Sequence, residues 1–100
     1  MSISVFPTID LKATGSNIVR LRKEANLSVR DLQMYFGFDS PQAIYKWQWG
    51  ESLPTVDNLY ALSKLLNTSM EEILVITPQS PVFLPLFLNY RFNDAIAYLF

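Results

Sequence analysis

Between Asp39 and Gly50 the chain reads Asp-Ser-Pro-Gln-Ala-Ile-Tyr-Lys-Trp-Gln-Trp-Gly, and this stretch holds the side chains best suited to recognising a partner. Ser40 can cap a helix through its hydroxyl, and Pro41 suits the first helical position, where its missing N–H has no intrahelical partner to lose. Gly50 suits the helix end. Inside these limits Ile44 and Trp47 lie three apart and share an inward face, so Gln42, Tyr45, Lys46 and Trp49 project elsewhere. An amide can pair twice with adenine and an ammonium can donate to guanine, each good contact contributing about 1–3 kcal/mol of discrimination between bases. An ordinary solvated helix face carries the same residue types. The choice between the two rests on the neighbouring segments.

A chain of 100 residues, half of them apolar, supports one domain with a real core and argues against a disordered chain. It contains neither Cys nor His, which removes disulfides, thiol chemistry, zinc sites of the usual ligand types and every His-dependent triad. No nucleophile stands beside a base, so neither an enzyme nor a cofactor or metal site is expected. The start, through Lys12, lacks a basic region and is interrupted by Pro7, Thr8 and Asp10, which makes a poor signal peptide and leaves the cytoplasm as the expected location. Pro85, Asn89, Arg91 and Asp94 break the apolar end before it could span a membrane.

The net charge of −1 hides an asymmetry. Residues 11–50 carry six basic side chains (Lys12, Arg20, Arg22, Lys23, Arg30, Lys46) against three acidic (Glu24, Asp31, Asp39), while residues 51–100 carry two (Lys64, Arg91) against five (Glu51, Asp57, Glu71, Glu72, Asp94). By itself the net charge argues mildly against a polyanionic partner, but the positive half holds the stretch at 39–50.

The surrounding elements follow from spacing. Residues 1–14 read as an N-terminal arm or short edge strand, with Pro7 forbidding a central one. After Gly15, Ile18, Leu21 and Ala25 place a first helix over 16–26, ended by Asn26. Ser28 and Asp31 form a variant capping box that opens a second helix carrying Leu32, Tyr35 and Phe36, closed by Gly37. Only Phe38, Asp39 and Ser40 separate it from the stretch at 41–49, which implies a steep crossing around a tight turn. Thr55 caps a fourth helix bearing Leu59, Leu62, Leu65 and Leu66, and Ser69-Met70-Glu71-Glu72 is a full capping box for a short fifth. The predicted fold is all-α, a compact five-helix bundle over 15–75. The segment 76–100 is an apolar C-terminal extension that regains helical spacing near its end, through Phe92, Ile96 and Leu99.

This order of features includes Arg22 in the first helix, Leu27-Ser28 at the second, Ile44-x-x-Trp47-x-x-Gly50, Pro54, a Leu-rich helix and Ser69 to Leu74. Together they resemble the lambda-repressor-like, Cro/XRE-type helix-turn-helix family, and within it small regulators of Firmicutes. The resemblance implies that the second helix lies across a DNA backbone while the third enters the major groove. Carried over position by position, it implies base contacts from Ser40, Gln42, Ala43 and Lys46, with Tyr45 at a more variable position. Phosphate contacts fall to Ser28 and Arg30 at the second helix, and to Ser52 and Thr55 at the start of the fourth, whose free amides favour an anion.

Two departures stand out. Val29 occupies a position where family members often hold a phosphate with Gln, and Arg30 is the candidate to replace it. Gln48 stands where a Glu commonly pairs with the arginine matching Arg22, so the expected contact is a charge-to-neutral hydrogen bond with Arg22 partly exposed or shared with a backbone carbonyl. Trp47 is read as core. Trp49 is open between packing beneath the loop at 51–54, covering the N-terminal arm and touching a partner.

The implied function is a sequence-specific double-stranded DNA-binding transcriptional regulator, a repressor acting as a homodimer on a palindromic operator. The alternative is a helix-turn-helix interaction module, such as an antitoxin or adaptor that engages a protein partner through the apolar C-terminal tail.

Overall fold

Asp10 decides where the first helix begins. Its carboxylate accepts the Ala13 N–H at 2.9 Å, and α1 runs Leu11–Glu24. The expected arm is therefore shorter than 1–14: residues 11–14 are helical because a side-chain acceptor at 10 satisfies the first turn. The computed structural model describes residues 7–77. The start of the arm at 1–6 and the extension beyond 77, including its expected helical end, lie outside the described residues.

The remaining helices are α2 (Val29–Phe36), α3 (Gln42–Trp49), α4 (Val56–Leu65) and the single-turn α5 (Met70–Ile73). Their starts follow the sequence closely. Ser28 and Asp31 make both arms of the capping box, with the Asp31 N–H donating to Ser28 Oγ at 3.0 Å and the Ser28 N–H to Asp31 Oδ2 at 2.8 Å. Thr55 Oγ1 accepts the Asn58 N–H at 3.3 Å, and Ser69 Oγ accepts the Glu72 N–H at 3.0 Å. The box at Ser69 is only half made, because the Glu72 carboxylate is taken by the Thr68 hydroxyl. Asn26, Gly37, Gly50 and Asn67 all hold positive φ at helix ends. Ala25, expected on the inward stripe of α1, is instead its exposed C-cap.

Eight buried side chains, drawn from every helix, make the core: Ile18, Leu32, Ile44, Trp47, Leu59, Leu62, Leu66 and Ile73. The turn between α2 and α3 is set by aromatic packing. Phe36 and Phe38 stack at 5.2 Å, and each presents an edge contact to Trp47, at 5.5 and 6.0 Å between ring centroids. Gly37 lies between the two phenylalanines at φ +71°, a conformation that costs an L side chain energy.

Around the other end, α5 is fastened to α1 by polar groups. Asn17 Nδ2 donates to the carbonyls of Glu72 and Ile73 at 2.7 and 2.9 Å, and the buried Thr14 hydroxyl accepts the Val75 N–H at 2.9 Å. The Asp10 N–H reaches the Val75 carbonyl and the Thr77 N–H the Thr8 carbonyl, both at 2.8 Å. Among the described residues, the expected arm or edge strand makes an isolated antiparallel bridge between Ile9 and Ile76.

Gly15, which the spacing places before the first helix, lies buried inside it against α3. A Cβ there would stand 2.5 Å from the carbonyl oxygens of both Trp47 and Gln48. Gly15→Ala should therefore destabilise the protein by about 1–3 kcal/mol in urea titration, despite a helix-propensity gain of about 1 kcal/mol.

Asp31 yields a second test. The two hydrogen bonds from Ser28 hold its carboxyl below the ordinary aspartate value, the backbone bond contributing most. A depressed folded-state pKa stabilises at pH above the unfolded value of about 3.9 and is lost as pH falls through the folded value. Asp31→Asn should melt below the parent at pH 7, and thermal scans at about pH 3 should show the gap narrowing.

Candidate nucleic-acid interface

Helix α3 is clasped on one side and bare on the other. Ile44 and Trp47 are buried, while Gln42, Lys46 and Trp49 are exposed and Tyr45 is half-buried. Residues 42, 45, 46 and 49 follow the i, i+3, i+4, i+7 spacing of one helix face. The clasp comes chiefly from α1, which makes its most extensive contact with α3. Beyond Gly15, a Cβ on Gly50 would meet the Lys12 Cα at 2.8 Å, so the C-terminus of α3 is pressed against the first turn of α1.

Arg22 adds a polar tie. Its Nε donates to Gln48 Oε1 at 2.9 Å and a terminal nitrogen donates to the Leu27 carbonyl at 2.9 Å, with both side chains half-buried. The expected charge-to-neutral pair is present, and the guanidinium is shared with a backbone carbonyl.

Ser40 and Pro41 differ from expectation at the helix start. Pro41 is itself the cap, its carbonyl accepting the Tyr45 N–H at 3.1 Å, and the Ser40 hydroxyl accepts the Gln42 N–H at a long 3.4 Å. The reason is geometric: Pro41 holds φ −83° and ψ 6°, short of the helical well, which moves the first helical residue on by one. The Ser40 O–H proton remains free to donate outward.

Ser40, Gln42, Ala43, Lys46 and Ser52 line one shallow depression of about 400 Å³, together with Phe38 and Asp39. Ala43 is half-buried and packs against the core, so it offers a methyl surface at most. Tyr45 lies outside that depression, its ring stacked on Trp49 at 5.5 Å with 16° between planes. Ser28, Arg30 and Thr55 are exposed and also lie outside it. The oxygens of Ser28 and Thr55 are used as caps, which leaves each hydroxyl proton free for an anion. At the start of α4, Asp57 stands in the first turn and already compensates part of the helix dipole there.

Among the described residues the ion pair is Arg20–Glu24, at 2.9 Å on the surface of α1. Lys46 and Arg30 are thus uncommitted charges. Asp39 is a candidate that sequence reasoning misses, because an acid just before a helix reads as a partner for the dipole. It lines the depression beside Gln42 and can accept a hydrogen bond from cytosine N4. Among the described residues no group of His, Cys, Asp or Glu could hold a metal, and no helix is long and apolar enough to cross a membrane.

A short helix laid across a second one that presents an exposed polar stripe defines the helix-turn-helix class of DNA-binding folds. Comparison with known proteins agrees. A helix-turn-helix family model matches residues 18–73, more than half of the chain. The uncharacterized HTH-type transcriptional regulator y4dJ of Sinorhizobium fredii is 36% identical over 70 residues, which cover 70% of this chain and 90% of that protein. No solved structure gives a significant match. The chain belongs to the Cro/XRE-type helix-turn-helix family, whose members are DNA-binding regulators of transcription and not enzymes.

The Arg22 tie is open to a direct test. Gln48→Ala leaves a half-buried guanidinium N–H without its acceptor and should cost about 1–2 kcal/mol in urea titration. Gln48→Glu, which restores an acceptor, should recover that loss at neutral pH.

Proposed function

We propose that this protein is a sequence-specific repressor that binds a palindromic operator in double-stranded DNA as a homodimer, with α3 of each subunit in the major groove. The observation that carries the reading is the outward stripe of exposed Gln42 and Lys46 with half-buried Tyr45, on a helix whose opposite face is locked by Ile44, Trp47 and the Gly15 contact. Gln42 reads adenine through its amide and Lys46 donates to guanine or an adjacent phosphate, with Ser40 and Ala43 completing the floor. Ser28, Arg30, Ser52 and Thr55 hold the flanking phosphates and set the register. The related regulator from Sinorhizobium supports transcription as the process concerned.

Dimerisation follows from reach. One eight-residue helix contacts only a few base pairs, and a two-fold axis doubles the site into half-sites about 34 Å apart. Repression then needs only occlusion of a promoter. The extension after residue 77 is the segment we assign to the dimer contact. Its removal should be made after Thr77, since Val75 and Thr77 hydrogen-bond to the start of the chain.

Selection of bound duplexes from a random pool should recover a palindrome, and Gln42→Ala with Lys46→Ala should abolish the enrichment. Each lost Lys46 or Arg30 phosphate contact should lower the slope of log affinity against log salt by about 0.9. Absence of any enriched duplex would transfer the fold to a protein-interaction role. Sedimentation of the chain cut after Thr77 should give a monomer; an unchanged association state removes the dimer role of the extension.

A further inference from the structure

The Tyr45–Trp49 stack is not used by the polar contacts above. Both residues share the face of α3 that carries Gln42 and Lys46, with Tyr45 half-buried and the indole 52% exposed at the end of the helix. The rings lie nearly parallel, 16° apart with centroids at 5.5 Å, so each fixes the other's orientation before any partner arrives. The pair presents a large aromatic surface on the same helix face as the proposed DNA contact, outside the depression that Gln42 and Lys46 line. In a major groove the apolar group that projects from a base edge is the C5 methyl of thymine.

We infer that the Tyr45–Trp49 pair is a thymine-methyl reader, a second specificity element placed beyond Gln42 on the same helix. The inference rests on the reading of α3 as the groove-entering helix and deepens it. Seven residues at about 1.5 Å each separate Gln42 from Trp49, about 10 Å along the helix. With base pairs about 3.4 Å apart, the methyl lies about three base pairs from the base contacted by Gln42. The arrangement predicts a half-site in which a thymine at that distance is read by shape and burial, without a hydrogen bond. Pre-stacking lowers the ordering cost of the contact, because the two side chains already hold each other in place.

The test uses the full chain and the duplex recovered by selection. Each thymine is replaced singly by uracil, which deletes the methyl and keeps every hydrogen-bonding group, and affinity is read by fluorescence anisotropy. One thymine per half-site, about three base pairs from the position whose preference relaxes in Gln42→Ala, should lose about fourfold on the change to uracil, the worth of one buried methyl group. Trp49→Ala should bind the thymine and uracil duplexes alike, while Trp49→Phe, which keeps a ring to stack on Tyr45, should retain most of the difference.

Uracil substitution without effect at every thymine of a duplex that still binds would overturn the methyl reader. So would a uracil effect that persists undiminished in Trp49→Ala, or a selected site with no thymine at that distance. Failure to select any duplex is a different result, and it strikes the DNA-binding reading itself.

Discussion

Contact between two backbones, at Gly15 of α1 and the carbonyls of Trp47 and Gln48 on α3, is the constraint on which the rest of the interface depends. Side chains normally hold packed helices about 8–10 Å apart. Here the missing Cβ removes the spacer, and Gly50 repeats the arrangement against Lys12 one turn away, at the same C-terminal end of α3. These two close points fix where the last turn of α3 sits against the start of α1. A helix held so presents Gln42 and Lys46 from a fixed backbone, which is the property a reading helix needs.

The inner surface of α3 completes the lock. Phe36, Phe38 and Trp47 form an aromatic cluster that spans the end of α2, the turn and the middle of α3. The turn is thereby part of the core, although its backbone runs over the surface. Because Phe38 also accepts the Gln33 amide through its carbonyl, at 3.2 Å, polar and apolar terms fix the same geometry. The aromatic cluster and this hydrogen bond thus tie α2 to α3 through the turn.

Much of this architecture is legible in the sequence because caps and apolar spacing are local signals. Ser28 with Asp31, Thr55 and Ser69 mark helix starts through their own hydrogen bonds, and Ile44 with Trp47 announces which face of α3 is buried. Gly15 is not legible. A glycine that admits a neighbouring backbone looks the same in sequence as one that ends an element, and the spacing alone suggests a boundary. The start of α1 is obscured for a related reason: β-branched residues and Pro7 imply extension, while one aspartate at position 10 is enough to start the helix. Asn17 and Thr14, which bind α5 and the residues after it to α1 across more than fifty residues, leave no local trace at all. At the candidate interface the side-chain types of Gln42 and Lys46 are readable, but their convergence with Ser52 and Asp39 depends on the tertiary turn.

Gln48 connects the lock to the electrostatics of the exposed face. A glutamate at this position would neutralise Arg22 and place a negative charge on the same helix as Lys46, two residues away. The neutral amide keeps the hydrogen bond to Arg22 at 2.9 Å and avoids desolvating a carboxylate. It also leaves the guanidinium charge uncancelled. Charges this close to a surface act across roughly the 8 Å screening length of physiological salt. Arg22, held by Gln48 and the Leu27 carbonyl, thus adds a fixed positive charge to those of Lys46 and Arg30, which form no ion pair among the described residues. In a chain with a net charge of −1, such a local surplus of positive charge favours an anionic partner.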